Sequence, residues 1–155
     1  MEPNLTFVLK ASVQLGPAQV IGRTNKGVRR IVPIVGGSFE GPDLRGAVLN
    51  FGADWQMIYD NGYMELDARY TLQTEGGGLI YVSNLGFRHG PPELAARFAK
   101  GEVVDMSQFR AGGRVTLESG SPGLEWMNYR MFIAKTSRSA SSISLDFYAV
   151  SELPA

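Results

Sequence analysis

The strongest constraint on the fold of this chain is a hairpin signal near its middle, where Asn61-Gly62 separates two β-prone runs. Asn-Gly is typical of a two-residue type I′ turn, because both central residues of that turn adopt positive φ angles. The flanking runs, 54–59 and 63–70, are rich in aromatic and apolar residues. We therefore predict an antiparallel strand pair that turns at Asn61 and Gly62.

The length of this turn decides which side chains share a face of the hairpin. With a two-residue turn, Trp55 faces Ala68 on an apolar, aromatic face, and Asp54 faces Arg69 on the other. That second face carries four polar side chains, those of Asp54, Gln56, Asp67 and Arg69. A shift of one residue would exchange the faces, so the clean separation of polar from apolar side chains favours the two-residue turn.

The rest of the chain reads as further strands joined by short, glycine-containing connections. We predict strands over 6–15, 19–24, 29–35, 38–40, 44–50, 79–85, 114–119, 124–134 and 142–150. The one predicted helix spans 91–100, because two prolines suit its first turn and Gly101 is placed to end it. The pattern indicates an all-β fold, an antiparallel β-barrel of about eight or more strands with one short helix, since closure removes exposed edges and leaves room for a small ligand.

Composition narrows the function classes. The 155 residues fit a single domain, 1–155, and fifteen basic residues cancel fifteen acidic ones, so no field attracts nucleic acid. No secretory leader is visible, and no apolar run approaches the roughly 20 residues of a membrane helix. We expect a cytoplasmic protein that binds a small molecule, with no nucleic acid and no membrane as partner.

The supply of reactive side chains is limited. The chain has no cysteine, and His89 is its only histidine, which argues against zinc, non-haem iron and a Ser-His-Asp triad. Glycine-rich phosphate-binding motifs are also missing. We predict no metal and no cofactor. His89 itself is either an exposed loop residue or an acid or base at a pocket mouth.

Several separate motifs follow one another along the chain. They are Arg29-Arg30-Ile31-x-Pro33-Ile34-x-Gly36-Gly37-x-Phe39-x-Gly41-Pro42, Gly52-Ala53-Asp54-Trp55-Gln56, Asp67-Ala68-Arg69-Tyr70, Arg88-His89-Gly90-Pro91-Pro92-Glu93 and Glu125-Trp126-Met127-Asn128. With them the chain resembles, from about Gly22 to Val150, the family of proteins of unknown function DUF3237, also called UPF0311. The resemblance implies a barrel similar to the allene oxide cyclase-like and lipocalin-like barrels, and no known reaction. Asn50-Phe51-Gly52 departs from the Pro-Gly-Gly that is more frequent in the family. If this segment lines the barrel mouth, its different bulk argues against a shared substrate.

Either face of the hairpin could form the barrel interior. On hydrophobicity alone the polar face is solvated, and the Asp54–Arg69 pair contributes about 0–1 kcal/mol. However, the hairpin residues that recur in the family's motifs are the polar ones. An arginine that points inward could also present hydrogen-bond donors to an oxygenated ligand. We favour the polar face as interior. Four side chains would then form an outward apolar patch, and we predict a homo-oligomer that buries this patch of Trp55, Met57, Tyr59 and Leu66.

The favoured function is a metal-free lyase, isomerase or cyclase acting on a small oxygenated hydrophobic metabolite by dehydration or cyclisation, including Diels–Alder-type reactions. Asp54 is the predicted general acid or base, and Arg69 the predicted stabiliser of oxyanion charge. The predicted substrate-binding residues are Arg30, Trp55, Gln56, Asp67, Tyr70, Trp126 and Asn128. The alternatives are a lipocalin-like carrier or sensor and a structural subunit without a ligand.

Overall fold

The structure is a computed structural model that describes residues 2–138 and 142–151. Strands of the described residues form one antiparallel sheet. They are β1 (Leu5–Leu15), β2 (Gln19–Arg23), β3 (Val28–Glu40), β4 (Arg45–Val48), β5 (Gly52–Ile58), β6 (Tyr63–Thr74), β7 (Leu79–His89), β8 (Arg110–Glu118), β9 (Phe132–Arg138) and β10 (Ser142–Val150). The helix α1 spans Pro92–Ala99, and short 3-10 helices span Met106–Gln108 and Glu125–Tyr129.

The sheet closes into an eight-stranded barrel. Its circuit runs β1, β10, β9, β8, β7, β6, β5, β3, and β3 returns to β1 through pairs such as Val13–Gly37. β2 pairs with the first half of β3, and β4 bridges β3 and β6, so these two strands extend the barrel wall outside the circuit. The predicted all-β barrel with one short helix is confirmed.

Two apolar clusters fill the ends of the barrel. Every second residue of a strand points inward, so side chains such as Leu9, Leu72 and Phe147 meet in the larger cluster. The smaller cluster lies at the β5–β6 hairpin, where Phe98 of α1 packs with Met64. The helix thus covers one end of the barrel. No helix of the described residues has the length and apolar character to cross a membrane.

The hairpin turns through three residues rather than two. The backbone N–H of Tyr59 donates to the Tyr63 carbonyl at 2.8 Å, which leaves residues 60–62 in the loop. Gly62 has a φ of 85°, whereas Asn61 keeps a negative φ. A three-residue hairpin commonly combines a type I turn with a left-handed glycine. The prediction places both Asn61 and Gly62 at positive φ, whereas in the structure only Gly62 adopts it.

The predicted register is therefore wrong by one residue. β5 and β6 pair Asp54 with Ala68 and Trp55 with Asp67. The predicted opposition of Asp54 and Arg69 does not form, because the extra loop residue moves the two strands past one another by one position.

Two strand predictions are also corrected. β3 continues through Gly36-Gly37 to Glu40 instead of ending there. The first half of the strand predicted over 124–134 is a 3-10 helix, and β9 begins at Phe132. The Asn128 side chain explains this turn, since its Oδ1 accepts from the Ser119 N–H at 2.9 Å and its Nδ2 donates to the Ser119 carbonyl at 2.8 Å.

Candidate functional site

A cavity of about 730 Å³ lies inside the barrel between the two clusters. The strand registers arrange its wall in rows of side chains. One row holds Arg30, Gln56, Leu66 and Gly86, and the next holds Val32, Asp54, Ala68 and Asn84. All eight residues line the cavity. The wall therefore combines charged and amide groups with an apolar surface.

The cavity has room because one part of the barrel wall carries small residues. Gly86 of β7 pairs with Gly113 of β8. Two residues nearer the hairpin, on the same face, Arg88 pairs with Ala111. In the main core, by contrast, the same two strands pair Val82 with Leu117. The loss of side-chain volume between these positions leaves the interior unfilled.

The seam between β8 and β9 is the weakest join in the described wall beside the cavity. Within the described residues these strands pair at Val115–Phe132 alone. Residues 111–113 of β8 and 134–136 of β9 line the cavity on either side of the seam. Few backbone hydrogen bonds therefore hold the two strands together where they line the cavity.

Asp54 presents a carboxyl group to the cavity. The Gln56 Nε2 donates to Asp54 Oδ2 at 2.8 Å. Asp54 Oδ1 is inaccessible to solvent and has no hydrogen-bond partner among the described residues. Burial raises the pKa of Asp54, while the Gln56 hydrogen bond and then the charge of Arg88 act to lower it. Asp54 itself lines the cavity, which places its carboxyl group next to the space that a bound molecule would fill.

The Tyr70 hydroxyl is a second buried polar group of the cavity. Burial, and after it the charge of Asp54, raise the pKa of Tyr70, so the phenol stays protonated at neutral pH and can donate a hydrogen bond. Within residues 2–138 and 142–151, neither the hydroxyl nor Gln56 Oε1 has a hydrogen-bond partner. Buried polar atoms are nearly always hydrogen-bonded, so the lack of protein partners for these two atoms sets this part of the cavity wall apart.

Two guanidinium groups are buried beside the cavity, those of Arg30 and Arg88, which are 6% and 7% exposed. Arg30 NH1 donates to the Phe98 carbonyl at 2.9 Å, and its Cζ lies 4.4 Å from the centroid of the Phe98 ring. These contacts attach α1 to the barrel. Arg88 pairs with Met64 across β6 and β7, and its positive charge attracts Asp54.

The structure brings four of the predicted site residues together at the cavity, namely Arg30, Asp54, Gln56 and Tyr70. Three others, Asp67, Arg69 and Trp55, face outward, and the register shift accounts for Asp67 and Arg69. Arg69, with a side chain 53% exposed, donates from Nε and NH2 to the Asp67 carboxylate at 2.9 Å. Trp55 is also on this outer face. The predicted inward Asp67–Arg69 edge is thus a surface ion pair.

The remaining predicted positions lie away from the cavity. Trp126 sits on the second 3-10 helix, 41% exposed, with its ring centroid 6.0 Å from that of Phe132. Asn128 holds the end of β8, as described above. His89 is exposed at the end of β7, where it pairs with Tyr63.

The sequence prediction missed Arg88. Its signal is the alternation of inward positions along β7, which runs from Val82 through Asn84 and Gly86 to Arg88. Gly86 obscures that signal, because a glycine usually weakens or interrupts a strand. The predicted strand ends at Leu85, three residues before Arg88.

Known proteins related to the chain share its length and its fold. A UPF0311 protein of Rhodopseudomonas palustris is 36% identical over 152 residues, covering 97% of this chain and 99% of the relative. The crystal structure of a protein with unknown function from Clostridium acetobutylicum matches with a TM-score of 0.89 and 31% identity, over 97% and 99% of the two chains. A β-barrel-like protein from Acinetobacter baumannii matches with a TM-score of 0.81 and 34% identity, over 97% and 98%.

A more distant relative has a named activity. The hydroalkoxylation enzyme phnH of Penicillium herquei is 30% identical over 81 residues, which cover 52% of this chain and 54% of that protein. The family model described as "Protein of unknown function (DUF3237)" matches residues 3–150. Since that match spans nearly the whole chain and the full-length relatives agree with it, the chain belongs to the DUF3237 family.

Proposed function

We propose that the protein is a cofactor-free lyase, isomerase or cyclase that exchanges a proton between Asp54 and a small oxygenated hydrophobic molecule inside the barrel. One observation carries the proposal. The Asp54 carboxyl group lines the cavity, Gln56 Nε2 donates to its Oδ2 at 2.8 Å, and burial raises its pKa. This is the arrangement that a general acid or base needs.

Ring closure by addition of a hydroxyl group across a carbon–carbon double bond illustrates the chemistry. The Asp54 carboxylate takes the proton of the substrate hydroxyl, and the oxygen forms a bond to one alkene carbon. The other alkene carbon then receives a proton from the Asp54 carboxylic acid. Nothing is oxidised or reduced, and the carboxyl group returns to its first state. Dehydration uses the same two proton transfers, with water as the leaving group.

The groups around Asp54 suit this sequence of steps. If the alkene is conjugated to a carbonyl group, negative charge develops on the carbonyl oxygen, and the Tyr70 hydroxyl and Arg88 guanidinium are donors that can stabilise it. Burial raises the pKa of Asp54 above its ordinary value, a direction that makes its carboxylate a stronger base. Apolar side chains such as Val32 and Ile34 restrict the substrate to few conformers, which accelerates cyclisation.

The distant relative supports the same class of reaction. Hydroalkoxylation is by definition the addition of an O–H bond across a carbon–carbon multiple bond, and phnH is named for it. The aligned 81 residues support the reaction class and carry no information on the substrate of this chain.

The test compares two matched substitutions on the hairpin. Asp54→Asn is expected to lower the rate of cyclisation by about 10²- to 10⁴-fold, the range that general acid–base catalysis contributes. The outward carboxylate provides the control, and Asp67→Asn is expected to retain the rate. A suitable probe is 2′-hydroxychalcone, whose closure to flavanone is followed by absorbance and whose product is analysed for enantiomeric excess.

The outcomes separate an enzyme from a carrier. Loss of turnover in Asp54→Asn, with binding of the chalcone retained, supports the proposed acid–base role. Equal turnover in wild type, Asp54→Asn and Asp67→Asn would contradict it. Tight binding by all three proteins without acceleration over the uncatalysed reaction would instead support the lipocalin-like carrier.

A further inference from the structure

The outer surface of the barrel carries an apolar stripe along one strand, β7. We infer that two copies of this chain associate through this stripe, about a two-fold axis that runs along β7, so that β6 of each copy lies over β8 of the other. Association is measured without a substrate, so it is independent of the proposed function.

The stripe consists of outward side chains of β7. Over residues 79–82 the strand is apolar on both faces, which is typical of a strand that is covered on both sides. Four large apolar side chains point outward from β7 and are between 36% and 48% exposed, namely Leu79, Tyr81, Leu85 and Phe87. A contiguous exposed patch of this kind is a mark of protein–protein interfaces. These four residues are called the β7 stripe below.

The aromatic end of the β7 stripe is ordered before any partner binds. The Tyr63 ring of β6 stacks on the Phe87 ring, with their centroids 5.8 Å apart and their planes 11° from parallel. On the other side Phe87 lies against Gly112 of β8, where a Cβ would come within 3.0 Å of the ring. An aromatic side chain held in this way loses little conformational freedom on association.

Charges of opposite sign flank the β7 stripe. Glu65 and Asp67 stand on its β6 side, and Arg110 and Arg114 stand on its β8 side. Asp67, Leu85 and Arg114 form one row across the three strands. Since neighbouring strands are about 4.8 Å apart, the stripe separates the backbones of Asp67 and Arg114 by about 10 Å. Each chain thus carries an acidic and a basic margin.

A two-fold axis along β7 exchanges these margins without shifting the rows. Leu85 then meets Leu85 of the second copy, and Asp67 lies over Arg114 of the second copy. Glu65 falls between the rows of Arg110 and Arg114. Each of these contacts occurs twice in the dimer, because a two-fold interface pairs the same surface with itself. Complementary charges of this kind fix the register of an interface and exclude wrong partners.

The alternative axis, perpendicular to the strands through the row of Leu85, brings like charges together. It places Asp67 over Asp67 and Arg114 over Arg114 of the second copy, which is unfavourable. Packed sheets commonly keep their strands within about 30° of each other, and the axis along β7 permits that angle. The charges therefore select the axis along the strand.

Asp67 can accept a second cation although it already pairs with Arg69. Arg69 Nε donates to one oxygen of the Asp67 carboxylate and Arg69 NH2 to the other, each at 2.9 Å. A carboxylate has about four lone-pair sites, so two sites stay open to a donor from the second copy. Asp67 would then bridge Arg69 and Arg114 across the interface.

The first test measures the mass of the full chain in solution by sedimentation equilibrium. Wild type is expected to sediment as a dimer at micromolar concentration. Leu85→Glu places two carboxylates against each other at the axis and is expected to raise the Kd of the dimer by about 100-fold or more. Val35→Glu changes an exposed apolar residue of β3 in the same way and is expected to leave the Kd unchanged.

The second test exchanges the flanking charges. Asp67→Arg and Arg114→Asp each turn two attractive pairs of the dimer into repulsive ones, so each is expected to raise the Kd by about 10-fold or more. An equimolar mixture of the two variants is expected to form mixed dimers with the affinity of wild type, because both pairs are then opposite in charge. Asp43→Arg, in the exposed connection between β3 and β4, is the control and is expected to have no effect.

Recovery in the mixture requires that the two margins of the β7 stripe meet, and a general loss of stability cannot imitate it. A wild type that stays monomeric at about 100 µM would overturn the inference and leave the stripe to a partner of another kind. A dimer whose Kd none of these substitutions changes would also overturn it, because another face would then join the copies. A mixture no tighter than its separate variants would overturn the axis along β7.

Discussion

The two aspartates of the hairpin differ in what surrounds their charge. Asp67 forms a surface ion pair with Arg69, which screens its carboxylate and adds little to stability. Asp54 lies at the cavity, and its strongest hydrogen-bond partner is a neutral amide, that of Gln56. Burial raises the pKa of Asp54 above its ordinary value of 3.8, which means that folding favours its protonated form.

Stability should therefore depend on pH through Asp54. Because its folded pKa is raised, the folded protein binds more protons than the unfolded chain between the ordinary value and the raised one, so stability falls as the pH rises through that window. Asp54→Asn removes this loss. Thermal melts at rising pH, starting near pH 4, should show a Tm advantage of Asp54→Asn over wild type that grows through that window. Asp67→Asn is the control, and an advantage that shrinks towards neutral pH would contradict the assignment.

At the scale of elements, the hairpin loop determines which residues form the site. Its third residue, Gly62, has a φ of 85°, and a Cβ there would collide with the carbonyl oxygen of Gly90 in the segment that leads into α1. The Gly90 N–H also donates to the Gly62 carbonyl at 3.2 Å. The loop thus joins the hairpin to the start of the helix.

Gly62→Ala should consequently cost more stability than the same change at another left-handed glycine. Gly77 has a φ of 88°, but a Cβ there meets no atom within 4 Å. Gly77→Ala should therefore lower the free energy of unfolding only by the cost of holding an alanine in the left-handed conformation, about 1–2 kcal/mol. Chemical denaturation of both variants tests the comparison. Equal losses would show that contact with Gly90 contributes nothing.

The hairpin also shows how far the sequence determines the site. Asn-Gly correctly predicts that a turn occurs, and the β-prone runs predict its two strands. A glycine after a type I turn and an Asn-Gly type I′ turn have the same local sequence, however, and they differ by one residue in register. That single residue brings Asp54 and Gln56 to the interior as predicted and turns Arg69 to the surface. The choice depends on packing around residues 90–92, which no local pattern contains.

At the scale of the whole molecule, the barrel has an interior that is only partly filled. Its fold was predictable because strand number, short connections and the single helix all follow from local patterns. The cavity was not, because it depends on small residues of separate strands meeting across the barrel. The outward patch also changes, since Leu66 faces the cavity and Met57 is buried. The homo-oligomer remains a prediction.

An unfilled interior predicts an unusual tolerance to larger side chains. Ala68 lines the cavity opposite Asp54, whereas Ala11 is fully buried in the larger apolar cluster. Ala11→Leu should overpack the core and cost about 1–3 kcal/mol or more, while Ala68→Leu should change the free energy of unfolding by less than about 1 kcal/mol. Equal destabilisation of the two variants in urea would show that the cavity is not available to side chains.

The seam between β8 and β9 has a consequence for the timing of ligand exchange. Because Val115–Phe132 is the one pair that joins these strands in the part of the chain described, widening the seam breaks few backbone hydrogen bonds. Amide protons of β8 that face the seam should then exchange with solvent far faster than those at its paired edge with β7. The residence time of a bound molecule would depend on this local opening, and a barrel that is thermodynamically stable could still release its contents quickly.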